Sequence, residues 1–171
     1  MGKQSIKRIF LSGGPKPNYS PGSRFLFWQR WLVYTSLLFA LFGIVFAVYG
    51  DNPVFKLYNN ALAKVFWNTD HFPAEAESFR AFIWAPLGGT IASCYILLAY
   101  IAMYPFKRKE RWARNAIIAG FGIWITIDSL ASLYYGVYFQ FYIINAFSFL
   151  TKALPILFTW KDFQKPKKHS L

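Results

Sequence analysis

The chain reads as an all-α, polytopic membrane protein: a four-transmembrane-helix bundle with an extra amphipathic helix in its first outer loop. Three observations predict this class. Of 171 residues, 56% are hydrophobic and 22% aromatic, and only 15% are charged, against roughly 25% in soluble domains. Four stretches supply the ~20 apolar residues that a helix needs to cross a ~30 Å hydrocarbon core. Lysine and arginine, finally, concentrate in alternate connecting segments, as the positive-inside rule expects.

Residues 1–27 form a basic segment with Lys3, Lys7, Arg8, Lys16 and Arg24. Its stretch 12–23 is rich in Gly, Pro and Ser and is expected to be irregular. The first span covers about residues 28–49. Its apolar run is long for a secretory signal, and no small-x-small cleavage site follows it, so it is read as an uncleaved span. In the loop 50–79, Asn52 can cap a helix and Pro53 suits its first turn. Val54, Tyr58, Ala61, Leu62 and Val65 then recur at helical spacing, with Lys56, Asn59, Asn60 and Lys64 on the other side. An amphipathic helix over about 53–66, lying on the outer surface or over the bundle mouth, follows.

The second span covers about 82–104, but its helix is expected to begin earlier. Phe72-Pro73 followed by Glu75 and Glu77 has the proline and the acids of a first turn. The helix then projects beyond the bilayer and carries Arg80 at its boundary. The third and fourth spans cover about 113–135 and 139–160, and residues 161–171 form a basic tail. Between the second and third spans lie Lys107, Arg108, Lys109, Arg111 and Arg114; the tail holds Lys161, Lys165, Lys167 and Lys168. These segments and the amino-terminal one belong in the cytoplasm. The loop 50–79, with Lys56 and Lys64 against Asp51, Asp70, Glu75 and Glu77, and the uncharged turn near Gly136 belong outside. The expected location is the cytoplasmic membrane of a bacterium, with both termini cytoplasmic.

The net charge is +12. Because the basic residues flank apolar runs, anionic lipid headgroups are the expected partner, and nucleic acid is not. Lone Cys94 makes no intrachain disulfide and excludes paired-cysteine redox chemistry. His71 and His169 lie outside the spans, so no histidine-ligated haem or metal is expected there, and no cofactor. Trp28, Trp31, Tyr49, Tyr104, Trp112, Tyr134, Tyr135, Tyr138 and Trp160 stand near span ends, as an aromatic belt does. No stretch carries a catalytic signature.

The informative residues are two isolated charges. Asp128 is the only charge within 117–136, and Lys152 the only one within 137–160. Each costs ~2.5–3.5 kcal/mol on insertion scales. Asp128 shares a helix face with Trp124, Ser132 and Tyr135; Lys152 shares one with Asn145, Ser148, Pro155 and Thr159. Polar stripes on consecutive antiparallel helices should face each other rather than lipid. An Asp128–Lys152 pair is therefore expected, its offset of roughly 8 Å closed by the lysine stem, with Tyr135 or water as bridge. Arg80 is the competing partner for Asp128. Pro86 and Pro155 free carbonyls that must find partners within the bundle. Ala85, Gly89 and Ser93, with Gly88 and Ala92 beside them, allow close helix approach, as do Ala116 and Gly120.

The candidate ligand-binding set is Asp128, Lys152, Arg80, Ser132, Tyr135, Asn145 and Ser148. It suits a bundle that binds or transports a small polar solute or a proton. The alternative is a non-catalytic accessory or assembly subunit, partnered by its own copies or by a membrane complex. An Asp–Lys pair doing acid–base work on a lipid is a third reading, and the residues favour a non-enzyme over it.

Overall fold

The structure, a computed structural model, describes residues 22–50 and 52–163. The irregular stretch expected at 12–23 lies almost wholly outside the described residues, as does the tail beyond 163. Among those described, the secondary structure is helical throughout, without a strand. Four helical segments are long and apolar enough to cross a membrane: Ser23–Tyr49, Ala74–Phe106, Arg111–Tyr134 and Gln140–Phe163.

Helix α1 (Ser23–Tyr49) buries Phe25, Gln29, Leu32, Ser36, Ala40 and Gly43, one stripe at steps of three and four. It packs against two neighbours, α3 (Ala74–Ile101) and α5 (Ala146–Thr159). Lipid competes equally for apolar surface, so helices in a bilayer associate through close packing and buried polar contacts. The α1–α3 seam is built that way. A Cβ on Gly88 would stand 2.5 Å from the Gly43 carbonyl oxygen and 2.6 Å from the Ala47 nitrogen. The small-residue expectation is thus met one position over: Gly88 and buried Ala92 make the contact, while Ala85, Gly89 and Ser93 are exposed.

Helix α4 (Arg111–Tyr134) is attached chiefly at its two ends. Its contacts run to a π-helical turn, Ala102–Phe106, that prolongs α3, and to a second, Gln140–Asn145, that precedes α5. Its buried residues, Ala113, Ile117 and Ser132, mark those ends. Ala116 is exposed and Gly120 faces open space; the small face expected to pack there does not.

Two aromatic cores close the ends of the bundle. At the basic end, Phe25 stacks on Phe106 and meets Phe163, with centroids 5.9 and 6.1 Å away. Lys109 pairs with Asp162 at 3.0 Å there, and the buried Gln29 amide donates to the Ala102 carbonyl at 3.0 Å. At the opposite end, Phe46, Phe55 and Trp84 form the second core. Here α2 (Lys56–Trp67) begins as foreseen: Asn52 Oδ1 accepts from Val54 N at 3.1 Å, and Pro53 stands in the first turn.

The inward face of α2 differs from the one its spacing suggests. Phe55 and Ala63 are buried, and Tyr58 and Leu62 partly so, whereas Val54 and Val65 are exposed. Asn59, expected on the polar side, turns inward and donates to the Gly50 carbonyl at 3.1 Å.

Candidate functional site

The two isolated charges do not meet. No carboxylate oxygen of a described residue lies within 4.0 Å of the Lys152 ammonium. The lysine is nevertheless fully buried, and so are its stripe companions Asn145, Ser148, Pro155 and Thr159. That stripe is real, but α5 packs chiefly on α1, and of the stripe Asn145 reaches α4 while Lys152 turns to α1 and α3. The Lys152 Nζ lies 4.3 Å from the Phe39 ring centroid on α1 and 4.9 Å from that of Tyr95 on α3. The rings stack on each other, 4.9 Å apart. Lys152 Nζ also donates to Thr151 Oγ1 at 2.9 Å, and that hydroxyl donates to the Ser148 carbonyl at 2.8 Å. Ring quadrupoles and one hydroxyl hold the cation in place of a carboxylate.

Register explains the separation. Gly136, at φ +72°, makes the tight reversal after α4, a conformation that glycine adopts without a Cβ penalty. The Val137 amide then donates to the Ser132 carbonyl at 2.8 Å, and the returning segment brings Gln140 to Asp128. Gln140 Nε2 donates to Asp128 Oδ2 at 3.3 Å. Lys152 lies roughly 10 Å further along the helix than Asn145, which meets α4 beside the acid, and its ammonium turns to Phe39 and Tyr95 instead.

A polar cluster therefore forms around Asp128 at the α2 end. Asn145 Nδ2 donates to Ser129 Oγ at 3.1 Å, one residue along from the acid. The π-helical turn makes this possible. In an α-helix, residues five apart stand ~140° apart around the axis, whereas an i→i+5 turn stacks them on one side. Gln140 and Asn145 both address one turn of α4 for that reason. Tyr58 closes the cluster from α2. Its ring lies 5.7 Å from Phe139 and 5.9 Å from Trp84, and its hydroxyl is pushed up to about 12, first by burial and second by the Asp128 charge.

Two acceptors in this cluster receive no hydrogen bond from any described residue: Gln140 Oε1 and Asn145 Oδ1, both buried. Asp128 itself is only partly buried and has no ion pair among the described residues. The other expected members fare differently. Ser132 is buried nearby, but Tyr135, expected as a bridge, is 58% exposed and stands 6.1 Å from Phe66. The helix ends at Tyr134, so Tyr135 falls into the reversal. Arg80 is buried, stacked 4.4 Å above Trp84 and bound to Glu77 at 2.9 Å, rather than to Asp128.

Sequence reasoning passed over Gln140, Ser129 and Tyr58, and also Phe39 and Tyr95. A signal existed for two of these groups. Gln140 is a polar residue in an apolar segment, and Phe39 and Tyr95 are aromatics far from any span end. The described residues hold no group of His, Cys, Asp or Glu fit to bind a metal. No family model matches the chain, and no curated protein or solved structure is significantly similar to it.

Proposed function

We propose that this chain is an integral membrane protein that binds, and passes inward, a small polar solute or a proton at Asp128. The site is reached from the outer face, beneath α2. Loop charges support that orientation: Lys107, Arg108, Arg111 and Arg114 gather at one end and the site lies at the other. An apolar exterior supports the bilayer, with Leu38, Ile123, Leu130 and Phe147 each at least 60% exposed. Anionic headgroups suit the basic end, where the Arg114 guanidinium stacks 4.2 Å from the Trp160 ring.

The observation that carries the reading is Asp128, a partly buried carboxylate without a cationic partner among the described residues. Acids inside a span are expensive and mark solute or proton paths. Lys152 lies outside this site, roughly 10 Å beyond Asn145 along the helix, with its ammonium against Phe39 and Tyr95. In proteoliposomes, Asp128→Asn abolishes pH-driven proton uptake or the uptake of polar solutes found to be carried. Unchanged uptake eliminates this role for Asp128.

The accessory-subunit reading has one observation on its side, the attachment of α4 chiefly at its ends. Extraction in mild detergent followed by size analysis tests it: a larger assembly with a second protein supports it, and a bare monomer counts against it.

A further inference from the structure

Resting on the reading of Asp128 as a binding residue, we infer that the site formed by Asp128, Gln140, Asn145 and Ser129 takes a small monovalent cation, an alkali ion or an ammonium group. Two features of the geometry lead there. The first is a surplus of acceptors. Asp128 accepts from Gln140 Nε2, which fixes the orientation of that amide and leaves its Oε1 buried without a donor among the described residues. Asn145 is only 2% exposed; its Nδ2 is committed to Ser129, and its Oδ1 is likewise buried without a donor. A buried acceptor left unmade costs ~1–3 kcal/mol. Both belong to the turn that lies against Asp128.

The second feature is the sign and number of the charges. The groups that need a partner are oxygens, and one of the residues carries a negative charge. An anion would be repelled by the Asp128 charge. Water satisfies the amides but leaves the carboxylate uncompensated. Divalent ions favour sites with several carboxylates, whereas Asp128 is the only acid within residues 111–160 and the described residues hold no group of three possible metal ligands. One carboxylate with neutral amide and hydroxyl oxygens matches a single positive charge.

The experiment uses the full chain, purified in nanodiscs at constant ionic strength, with ²²Na⁺ and ¹⁴C-methylammonium as probes. Saturable binding of either is expected, at one site per chain. Asp128→Asn removes it, and Asn145→Ala weakens it about tenfold; size-exclusion profiles confirm that both variants are folded. Potassium competing with ²²Na⁺ identifies an alkali-ion site. Methylammonium binding that sodium does not displace identifies an amine site. Magnesium displacing either probe at equal concentration overturns the monovalent assignment. Asp128-dependent proton uptake without saturable binding of either probe overturns the cation inference and leaves the Asp128 reading standing. Absence of both binding and uptake overturns the two together.

Discussion

The Lys152 ammonium lies 4.3 Å from the centroid of the Phe39 ring, in a fully buried position at the junction of α1, α3 and α5. A lysine so placed gains ring and hydroxyl contacts but lacks the carboxylate that its burial calls for. Charge at this position therefore adds little to the stability of the bundle, while the length of the side chain fills space.

Lys152→Met keeps the volume and removes the charge. Unfolding in mixed micelles is expected to show stability unchanged or raised by ~1–2 kcal/mol. Lys152→Ala leaves a void between Phe39 and Tyr95 and is expected to lose ~2–4 kcal/mol. A loss beyond ~3 kcal/mol in the methionine variant is the outcome expected of a broken buried ion pair, and it would contradict the ring-held geometry.

Two adjacent glycines on α3 separate seam from surface. Gly88→Ala drives a methyl group into the backbone of α1, where the nearest atoms are the Gly43 oxygen and the Ala47 nitrogen; overpacking of this kind costs ~1–3 kcal/mol. Gly89→Ala meets nothing within 4 Å and is expected to be neutral or to stabilise by up to ~1 kcal/mol through helix propensity. The same unfolding assay measures both, and equal effects would place the α1–α3 contact elsewhere.

Tyr58 links α2 to the site, and its titration reports that link. Its hydroxyl is held up to about 12, from an ordinary value of 10.0, by burial and then by Asp128. The folded protein thus keeps a proton that the unfolded chain releases from about pH 10 upward, so stability falls as pH rises from 10 through about 12. Tyr58→Phe is expected to remove this residue's share of the decline. Asp128→Asn is expected to reduce it only in part, because burial is the larger cause. An identical high-pH decline in wild type and Tyr58→Phe would show that the hydroxyl is not enclosed.

The elements were largely legible from residue order. Apolar runs marked the four spans, Asn52-Pro53 marked the start of the α2 segment, and Phe72-Pro73 with its acids marked the start of α3 at Ala74. These signals are local, set by side-chain solvation and by capping within a few residues. The burial of the Asn145, Ser148, Lys152 and Thr159 stripe was legible too, since 3.6-residue periodicity places those residues on one face. The direction in which that face points was not.

The candidate site was legible in part. Asp128 stood out as an isolated charge, but its partners depended on two events that α-helical periodicity does not anticipate. One is the π-helical turn Gln140–Asn145, which puts two amides on one side. The other is the reversal at Gly136, which sets Gln140 against Asp128.

Composition and pattern alone determined an all-helical chain with four helices fit for a bilayer, because the cost of exposing polar backbone to hydrocarbon leaves little choice. Which charge lies beside which side chain was decided by tertiary structure. Helix rotation arises from contacts between segments distant in sequence, such as Gly43 with Gly88 and Lys152 with Phe39 and Tyr95, and it sends Lys152 to two aromatic rings while Asp128 keeps an amide.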